Sequence, residues 1–214
     1  MYNTIIFDLD GTLLNTLEDL CNSTNYALNK YGFKERTLEE VRTFVGRGAA
    51  VLIQRALPID VSEEMHSQVL NTFKNHYSEH SNELTAPYEG IMEMLSEVKK
   101  KGYKTAILSN KPHNAVQDLH KLFFAEYIDV AMGVKDGIPT KPDSVMVNNV
   151  MHELGSNVEN TLYVGDSEVD VMTAQNAGLD MVTCLWGFRD QTELEVAGAT
   201  KFISHPVELL EWLE

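Results

Sequence analysis

Two aspartates, Asp8 and Asp10, lie two residues apart where a short run of β-branched and apolar residues ends. From there both carboxylates can approach one site, one from the end of a strand and the other from the loop that follows it. One carboxylate of such a pair can attack phosphorus while the other moves protons, because neighbouring carboxylates push their pKa values apart. Taken alone, the segment also fits an acidic turn in which Gly11 and Thr12 are turn and capping residues.

Three further sets of reactive side chains follow later apolar runs. Ser109 is predicted to begin a helix, whose N-terminal N–H groups would suit a phosphate together with the serine hydroxyl. Lys141 precedes Pro142, which we expect to begin another helix, and its ammonium would project into the same crevice. Asp166 ends a strand, and Asp170 lies in the first turn of the next helix. Each residue alone fits an ordinary cap or a solvated charge, but four such positions at four strand ends indicate one site.

The elements that would position these residues alternate between strands and helices. After Pro87 we predict strands near residues 104–108, 128–131, 162–164, 181–184 and 201–203, with helices over about 88–101, 109–122, 144–154, 168–177, 191–197 and 207–213. Alternation of this kind indicates βαβ crossovers and a mostly parallel sheet covered on both faces. Ligands of such sheets bind at the carboxyl ends of the strands. The predicted fold class is therefore α/β, with a Rossmann-like doubly wound parallel sheet as its core.

A block of helical periodicity, residues 16–84, separates the first strand from the rest. We interpret it as a small all-helical cap domain inserted after the first strand, with residues 1–15 and 85–214 forming the catalytic core. Within the block, Arg47 stands between Gly46 and Gly48 and interrupts the helical pattern. Arg47 could meet a second anionic group of a substrate, such as a carboxylate, or be an ordinary surface arginine.

Charge and hydropathy exclude several classes of function. The 214 residues include 17 Lys and Arg against 32 Asp and Glu, a formal net charge of -15. A nucleic-acid partner is not expected, because phosphate backbones select basic surfaces. No apolar run approaches the roughly 20 residues that span a bilayer, and the two cysteines suit a reducing compartment. We expect a cytoplasmic monomer or homodimer, and an anionic ligand would need a divalent cation to offset the repulsion.

The order of these residues resembles the haloacid dehalogenase superfamily over essentially the whole chain. Its four motifs are matched by Phe-Asp-Leu-Asp-Gly-Thr-Leu-Leu, Ile-Leu-Ser-Asn-Lys, Lys-Pro-Asp and Val-Gly-Asp-Ser-Glu-Val-Asp, in the same order. The resemblance implies that Asp8 is the nucleophile and Asp10 the general acid and base. It also implies that the transferring phosphoryl group is bound by Thr12, Ser109, Asn110 and Lys141. It further implies that Mg²⁺ is bound by the Asp8 carboxylate, the Asp10 backbone carbonyl and Asp166, with Asp170 in support.

Two further stretches, 41–48 and 185–189, are similar to the phosphoglycolate phosphatase group of that superfamily. The expected function is a Mg²⁺-dependent phosphatase that hydrolyses a small phosphorylated metabolite through an aspartyl-phosphate at Asp8. A phosphomutase of the β-phosphoglucomutase type would use the same residues, and a pyrophosphatase is a further alternative. A phosphorylated response-regulator domain would be shorter and would lack the helical insertion. Asn15 and Ser144 depart from the pattern, and Asn15 bears on the identity of the substrate.

Overall fold

The structure, a computed structural model, describes residues 2–213 and divides into two compact units. One unit contains residues 2–14 and 87–213, and the other is Asn15–Ala86. These boundaries fall within two residues of the predicted ones, 15/16 and 84/85. The role of the second unit as a cap over a catalytic core stays a prediction.

The first unit is built on a parallel sheet of six strands, ordered β5-β4-β1-β6-β7-β8. In chain order the strands are β1 (Thr4–Phe7), β2 (Leu14–Asn15), β3 (Ala86–Pro87), β4 (Lys104–Pro112), β5 (Val130–Val134), β6 (Thr161–Gly165), β7 (Asp180–Cys184) and β8 (Phe202–Ile203). Strands β2 and β3 form a separate two-stranded sheet where the chain passes between the units. The strand order reverses on either side of β1. Such a reversal opens a crevice at the carboxyl ends of the strands, where ligands of doubly wound sheets bind.

The second unit is helical, and the helices of the first unit cover both faces of its large sheet. They are α1 (Leu17–Lys30), α2 (Leu38–Phe44), α3 (Ala49–Ala56) and α4 (Glu63–His80) in the second unit, then α5 (Ile91–Lys100), α6 (His113–Leu119), α7 (Val145–Leu154), α8 (Glu168–Ala177) and α9 (Gln191–Ala197) in the first. Ile5 and Phe7 of β1 belong to one apolar cluster, while Ile6 belongs to another. Because alternate side chains of a strand point to opposite faces, the sheet is buried on both sides and the predicted α/β class is confirmed. No helix among residues 2–213 is long and apolar enough to cross a membrane.

Three predicted helix positions are wrong. Strand β4 continues to Pro112 and α6 begins only at His113, so Ser109 lies within a strand and caps no helix. Pro142 precedes α7 by three residues and does not begin it, and residues 206–212 form a 3₁₀ helix. The segment Ser109–Lys111 is polar yet buried, and hydrophobic periodicity cannot locate the end of a strand whose last residues are polar.

A buried carboxylate ties the two ends of the second unit together. Asp19, in the first turn of α1, is 1% exposed. Its side chain accepts hydrogen bonds from the backbone N–H groups of Leu84 and Thr85, at 3.1 and 2.9 Å. Charge-assisted bonds of this kind are stronger than neutral ones. Asp19 therefore satisfies two backbone donors just before the chain leaves the unit.

We expect Asp19→Ala to lower the free energy of unfolding by about 3 kcal/mol, because it leaves two buried N–H groups without their acceptor. The matched control is Glu18→Ala, which removes an exposed carboxylate from the same helical turn and should change stability by less than about 0.5 kcal/mol. Urea-induced unfolding followed by circular dichroism measures both. Equal midpoints for the two variants would contradict the structural role of Asp19.

Candidate active site

The adjacent strands β1 and β6 end together, and two of the predicted site residues, Asp8 and Asp166, follow them. In the register of the sheet, Phe7 of β1 pairs with Ile107 of β4 and with Val164 of β6. Asp8 follows β1 directly, and its backbone N–H donates to Val164 O at 2.9 Å. Asp166 comes just after β6. The parallel register therefore places Asp8 and Asp166 side by side at the switch point, and both lie at strand ends, where the sequence predicts the site.

A buried lysine lies at the centre of the site. Lys141 is 4% exposed, and its Nζ donates to Oδ1 of Asp8 and to Oδ1 of Asp170, both at 2.7 Å. Further acceptors are Leu108 O and the Tyr163 hydroxyl, both at 3.1 Å. Burial acts to lower the pKa of Lys141, but Asp170 and Asp8 outweigh it and hold that pKa well above its ordinary value. Lys141 is therefore a charged group that holds the ends of β1 and α8 together.

Two of three clustered, buried carboxylates bind this ammonium, and the third lies beside those two. Asp8, Asp166 and Asp170 each offer an oxygen within 4.8 Å of the others. Burial and the charge of Asp170 raise the pKa of Asp8 well above its ordinary value, and the same two causes raise the pKa of Asp166 to about 7. Each negative charge opposes the ionisation of its neighbours, and the raised pKa values show that the charge of Lys141 does not fully offset burial and this repulsion.

Each of the two later carboxylates is fixed by hydrogen bonds from its own surroundings. The Asp166 carboxylate accepts from the Phe188 N–H at 2.7 Å and from the Thr12 hydroxyl at 3.1 Å. Asp170 accepts from the Ser167 hydroxyl at 2.6 Å and forms with Ser167 the capping box of α8. The two carboxylates are thus held in place by the folded chain itself.

Asp10 lies apart from the three clustered carboxylates. Its Oδ1 accepts from Lys111 Nζ at 2.7 Å, and the two side chains are 14% and 3% exposed. No role is predicted for Lys111, because the sequence predicts a helix that begins at Ser109 and has Lys111 in its first turn. Lys111 lies instead in β4, from which its ammonium reaches Asp10.

The charges of this site fit a divalent cation. Four carboxylates, Asp8, Asp10, Asp166 and Asp170, face two ammonium groups, Lys141 and Lys111. The formal charge of these six groups is therefore -2. Carboxylate oxygens are the ligands that Mg²⁺ prefers, and one such ion would neutralise the remainder. Asp8, Asp166 and Asp170 are placed to hold it, whereas the expected contribution of the Asp10 backbone stays a prediction.

The expected phosphoryl-binding residues surround the same groups. Ser109 is buried, and its Oγ accepts from the Lys111 N–H at 3.2 Å. The Asn110 side chain brackets the backbone of Lys141, accepting from its N–H at 2.9 Å and donating to its carbonyl at 3.0 Å. The Thr12 hydroxyl donates to Asp166. All three residues therefore hydrogen-bond to other residues of the candidate site, and their contact with a phosphoryl group stays a prediction.

The segment after β7 contributes residues to which the sequence assigned no role at the site. Trp186 Nε1 donates to Thr12 O at 3.0 Å. A Cβ at Gly187 would lie 2.3 Å from Cβ of Asp166 and 2.5 Å from Gly11 O, so only glycine allows this approach. A glycine soon after a predicted strand could have drawn attention to this contact. Tyr163, whose hydroxyl donates to Asp170 at 3.0 Å, carries no comparable signal because alternate strand residues are buried in any sheet.

Arg47 lies in the second unit, exposed, between α2 and α3. Its contact with a substrate stays a prediction.

Comparison with known proteins decides the family. The sequence profile of the haloacid dehalogenase-like hydrolases matches residues 5–184, a span that contains every predicted residue of the site. The chain belongs to this family. The resemblance to the haloacid dehalogenase superfamily is thereby confirmed.

Individual relatives of this haloacid dehalogenase-like hydrolase carry two names. A phosphoglycolate phosphatase from Pseudomonas putida is 35% identical over 86% of this chain and 70% of its own length. A pyrophosphatase PpaX from Bacillus mycoides is 32% identical over 90% of this chain and 88% of its own. Among solved structures, a Lactobacillus delbrueckii subsp. bulgaricus protein, whose designation as a phosphoglycolate phosphatase is itself provisional, superposes with a TM-score of 0.95 at 34% identity, covering 99% of this chain and 98% of that one. These likenesses confirm the resemblance to the phosphoglycolate phosphatase group.

We expect Mg²⁺ to bind this hydrolase more tightly as the pH rises from 6 to 8. The pKa of Asp166 is raised to about 7, so below that pH a cation must displace a proton, whereas above it the ionised form is already present. One displaced proton weakens the apparent affinity by about tenfold between pH 8 and pH 6. Isothermal titration with MgCl₂ in two buffers of different ionisation enthalpy measures both the affinity and the protons released.

Two variants control this prediction. Asp166→Asn should abolish most of the binding, whereas Asp118→Asn, which changes an exposed aspartate of the same unit, should leave it unchanged. An affinity that is independent of pH over this range, or equal losses in the two variants, would contradict the assignment of the metal site.

Proposed function

We propose that this chain is a divalent-metal-dependent phosphatase that hydrolyses a small phosphate monoester, of the phosphoglycolate type, through a phosphorylated Asp8. The observation that carries the proposal is the cluster of Asp8, Asp166 and Asp170, in which Asp8 and Asp170 bind the buried Lys141 ammonium. The names of the relatives support the same class of substrate. Mg²⁺ is the proposed cation because every side-chain donor in the cluster is a carboxylate oxygen.

Asp8 is the proposed nucleophile because its carboxylate is held in place by a cation. The Lys141 ammonium binds Oδ1 of Asp8 at 2.7 Å, which fixes the carboxylate and reduces its repulsion of an incoming phosphate dianion. Phosphoryl transfer depends on positioning and on neutralising charge at the equatorial oxygens. When bound, Mg²⁺ would supply further charge neutralisation at the transferring group. Attack by an Asp8 oxygen on phosphorus then releases the alcohol and leaves an acyl phosphate on Asp8.

Asp10 is the proposed general acid and base. It follows the nucleophile by two residues, and its carboxylate is separate from the cluster, beside Lys111. A protonated Asp10 gives its proton to the departing alcohol oxygen, and the resulting carboxylate then takes a proton from the water that hydrolyses the acyl phosphate. The two aspartates therefore do different work because they have different neighbours.

A second candidate, pyrophosphate hydrolysis, is favoured by the PpaX relatives. The same nucleophile and acid would serve it, with inorganic phosphate as the leaving group in place of an alcohol. A screen of phosphoglycolate, sugar phosphates, nucleotides and pyrophosphate, with Mg²⁺ present, ranks the candidates by kcat/KM. Release of free phosphate in each assay separates a hydrolase from a phosphomutase, whose phosphoenzyme waits for an acceptor alcohol.

We expect Asp8→Asn to abolish turnover, because a neutral amide neither attacks phosphorus nor forms an acyl phosphate. Asp10→Asn should slow hydrolysis of an alkyl phosphate by about 10²–10⁴-fold, the usual contribution of a general acid and base. With p-nitrophenyl phosphate, whose leaving group needs no proton, Asp10→Asn should still form phosphoenzyme. Rapid quench followed by intact-mass spectrometry measures the phosphoenzyme.

The matched control is Asp118→Asn, an exposed aspartate of the same unit, which should retain full activity. Appreciable turnover by purified Asp8→Asn, sensitive to EDTA and present in independent preparations, would show that Asp8 is not the nucleophile.

A further inference from the structure

The hydroxyl of Tyr163 is a buried polar group to which the proposed reaction gives no role. Tyr163 lies in β6 and is fully buried, and its ring belongs to one of the two apolar clusters that cover the sheet. Burying a hydroxyl costs free energy unless it is hydrogen-bonded, and phenylalanine would fill almost the same space without that cost. Packing alone therefore does not account for the hydroxyl.

The Tyr163 hydroxyl joins two charged groups of the site. It accepts a hydrogen bond from Lys141 Nζ at 3.1 Å and donates one to Asp170 Oδ1 at 3.0 Å. Lys141 Nζ donates to the same Asp170 oxygen at 2.7 Å. The three groups therefore form a closed triangle, in which Asp170 Oδ1 has two donors.

Lys141 has more acceptors around it than hydrogens to donate. An ammonium group carries three N–H bonds, whereas four oxygen atoms in the described part of the chain accept from Nζ, those of Asp8, Asp170, Leu108 and Tyr163. At least one N–H is therefore shared between two acceptors. The ammonium can move from one acceptor to another at low cost only where the acceptor that it leaves keeps a different donor, because a buried oxygen without any donor is destabilising.

Asp170 is such an acceptor because Tyr163 also donates to its Oδ1. The other oxygen, Oδ2, accepts from the N–H and the hydroxyl of Ser167, at 3.1 and 2.6 Å. Asp170 therefore stays in place, with a donor on each oxygen, when Lys141 turns away from it. Without the Tyr163 hydroxyl, the same movement would leave Oδ1 of a fully buried carboxylate without a donor among the residues that the structure describes.

The proposed reaction requires Lys141 to turn in this way. Asp8 Oδ1 lies 2.7 Å from Lys141 Nζ, so a phosphoryl group bonded to the Asp8 carboxylate brings its charged oxygens within about one further hydrogen-bond length of the ammonium. Hydrogen bonds between an ammonium and phosphate oxygens are strong because both groups are charged. Lys141 can donate to those oxygens only by giving up an acceptor that it already has, and Asp170 Oδ1 keeps a donor in Tyr163.

We propose that Tyr163 is a positioning residue for phosphoryl transfer, whose hydroxyl holds Asp170 in place while Lys141 turns one N–H toward the phosphoryl group on Asp8. The inference rests on the proposed phosphatase function and deepens it. Tyr163 touches no atom of the substrate in this role and acts through Lys141 and Asp170. Loss of the hydroxyl should therefore slow the transfer of the phosphoryl group to Asp8 and leave the binding of the substrate unchanged.

Single-turnover rapid quench with p-nitrophenyl phosphate and Mg²⁺ tests this role in Tyr163→Phe, which keeps the ring and removes the hydroxyl. We expect the maximal rate of phosphoenzyme formation to fall at least about tenfold, the effect of one hydrogen bond to a charged group. The substrate concentration that gives half of that rate, and the affinity for Mg²⁺, should change by less than about twofold. Tyr163→p-aminophenylalanine keeps a donor toward Asp170 and should restore the rate to within about threefold of the wild type.

A second measurement does not depend on turnover. Beryllium fluoride mimics a phosphoryl group on a carboxylate, and fluorine NMR measures its binding to the protein in the presence of MgCl₂. We expect Tyr163→Phe to bind beryllofluoride about tenfold more weakly than the wild type, because Lys141 then contacts the fluorine atoms at the expense of Asp170.

The matched control is Tyr103→Phe, which removes a hydroxyl that donates to Leu213 O beside the opposite end of β4 and should leave both measurements unchanged. Circular dichroism checks that each variant is folded. If Tyr163→Phe is not folded, Tyr163→p-fluorophenylalanine takes its place, since fluorine fills the space of the hydroxyl and donates no hydrogen bond. Equal losses in Tyr103→Phe and in the Tyr163 variant would overturn the proposal, and so would a Tyr163 variant that weakens Mg²⁺ or substrate binding as much as it slows the transfer.

Failure of the proposed function is distinguishable from failure of this inference. A wild-type protein that forms no phosphoenzyme and binds no beryllofluoride with Mg²⁺ present would overturn both. A wild-type protein that does both, together with a Tyr163→Phe variant that matches it in rate and in affinity, would overturn the role of Tyr163 alone.

Discussion

The site depends on one interaction, the contact of the buried Lys141 ammonium with Asp8 and Asp170. Three carboxylates within 4.8 Å of one another repel in a medium of low dielectric constant, and the positive charge of Lys141 reduces that repulsion. Removing one partner from a buried ion pair costs about 3–5 kcal/mol, because the remaining charge stays desolvated. Lys141 therefore contributes to the folding of the site as well as to its chemistry.

The parallel sheet provides the geometry that this interaction requires. Asp8 and Asp166 come from neighbouring strands, Asp170 from the first turn of α8, and Lys141 from a turn whose backbone is held by Asn110 of β4. No two of these side chains lie on the same strand. The charges meet because parallel strands end at one edge of the sheet, and Lys141 binds two of the three clustered aspartates. The remaining formal charge of -2 at the site favours the binding of a divalent cation.

Sequence reasoning located the aspartates and Lys141 but not the surroundings that set their properties. Asp8, Asp166 and Asp170 follow or flank apolar strands of regular pattern, so hydrophobic periodicity and motif order were sufficient to predict them. Ser109–Lys111 form the polar end of a buried strand, and periodicity cannot describe a strand whose own residues are polar. Because a helix is predicted there, the sequence did not identify Lys111 as the partner of Asp10. Contacts such as those of Trp186 with Thr12 and of Gly187 with Asp166 join segments more than 20 residues apart, which a single sequence does not reveal.

The most direct test of the account is a crystal structure of the protein grown with MgCl₂ and beryllium fluoride, which mimics an acyl phosphate on a carboxylate. The account predicts a beryllofluoride group on the Asp8 carboxylate, a Mg²⁺ ion held by Asp8 and Asp166, and Lys141 in contact with Asp8. Beryllofluoride on any other residue, or a Mg²⁺ ion bound away from Asp8 and Asp166, would contradict it.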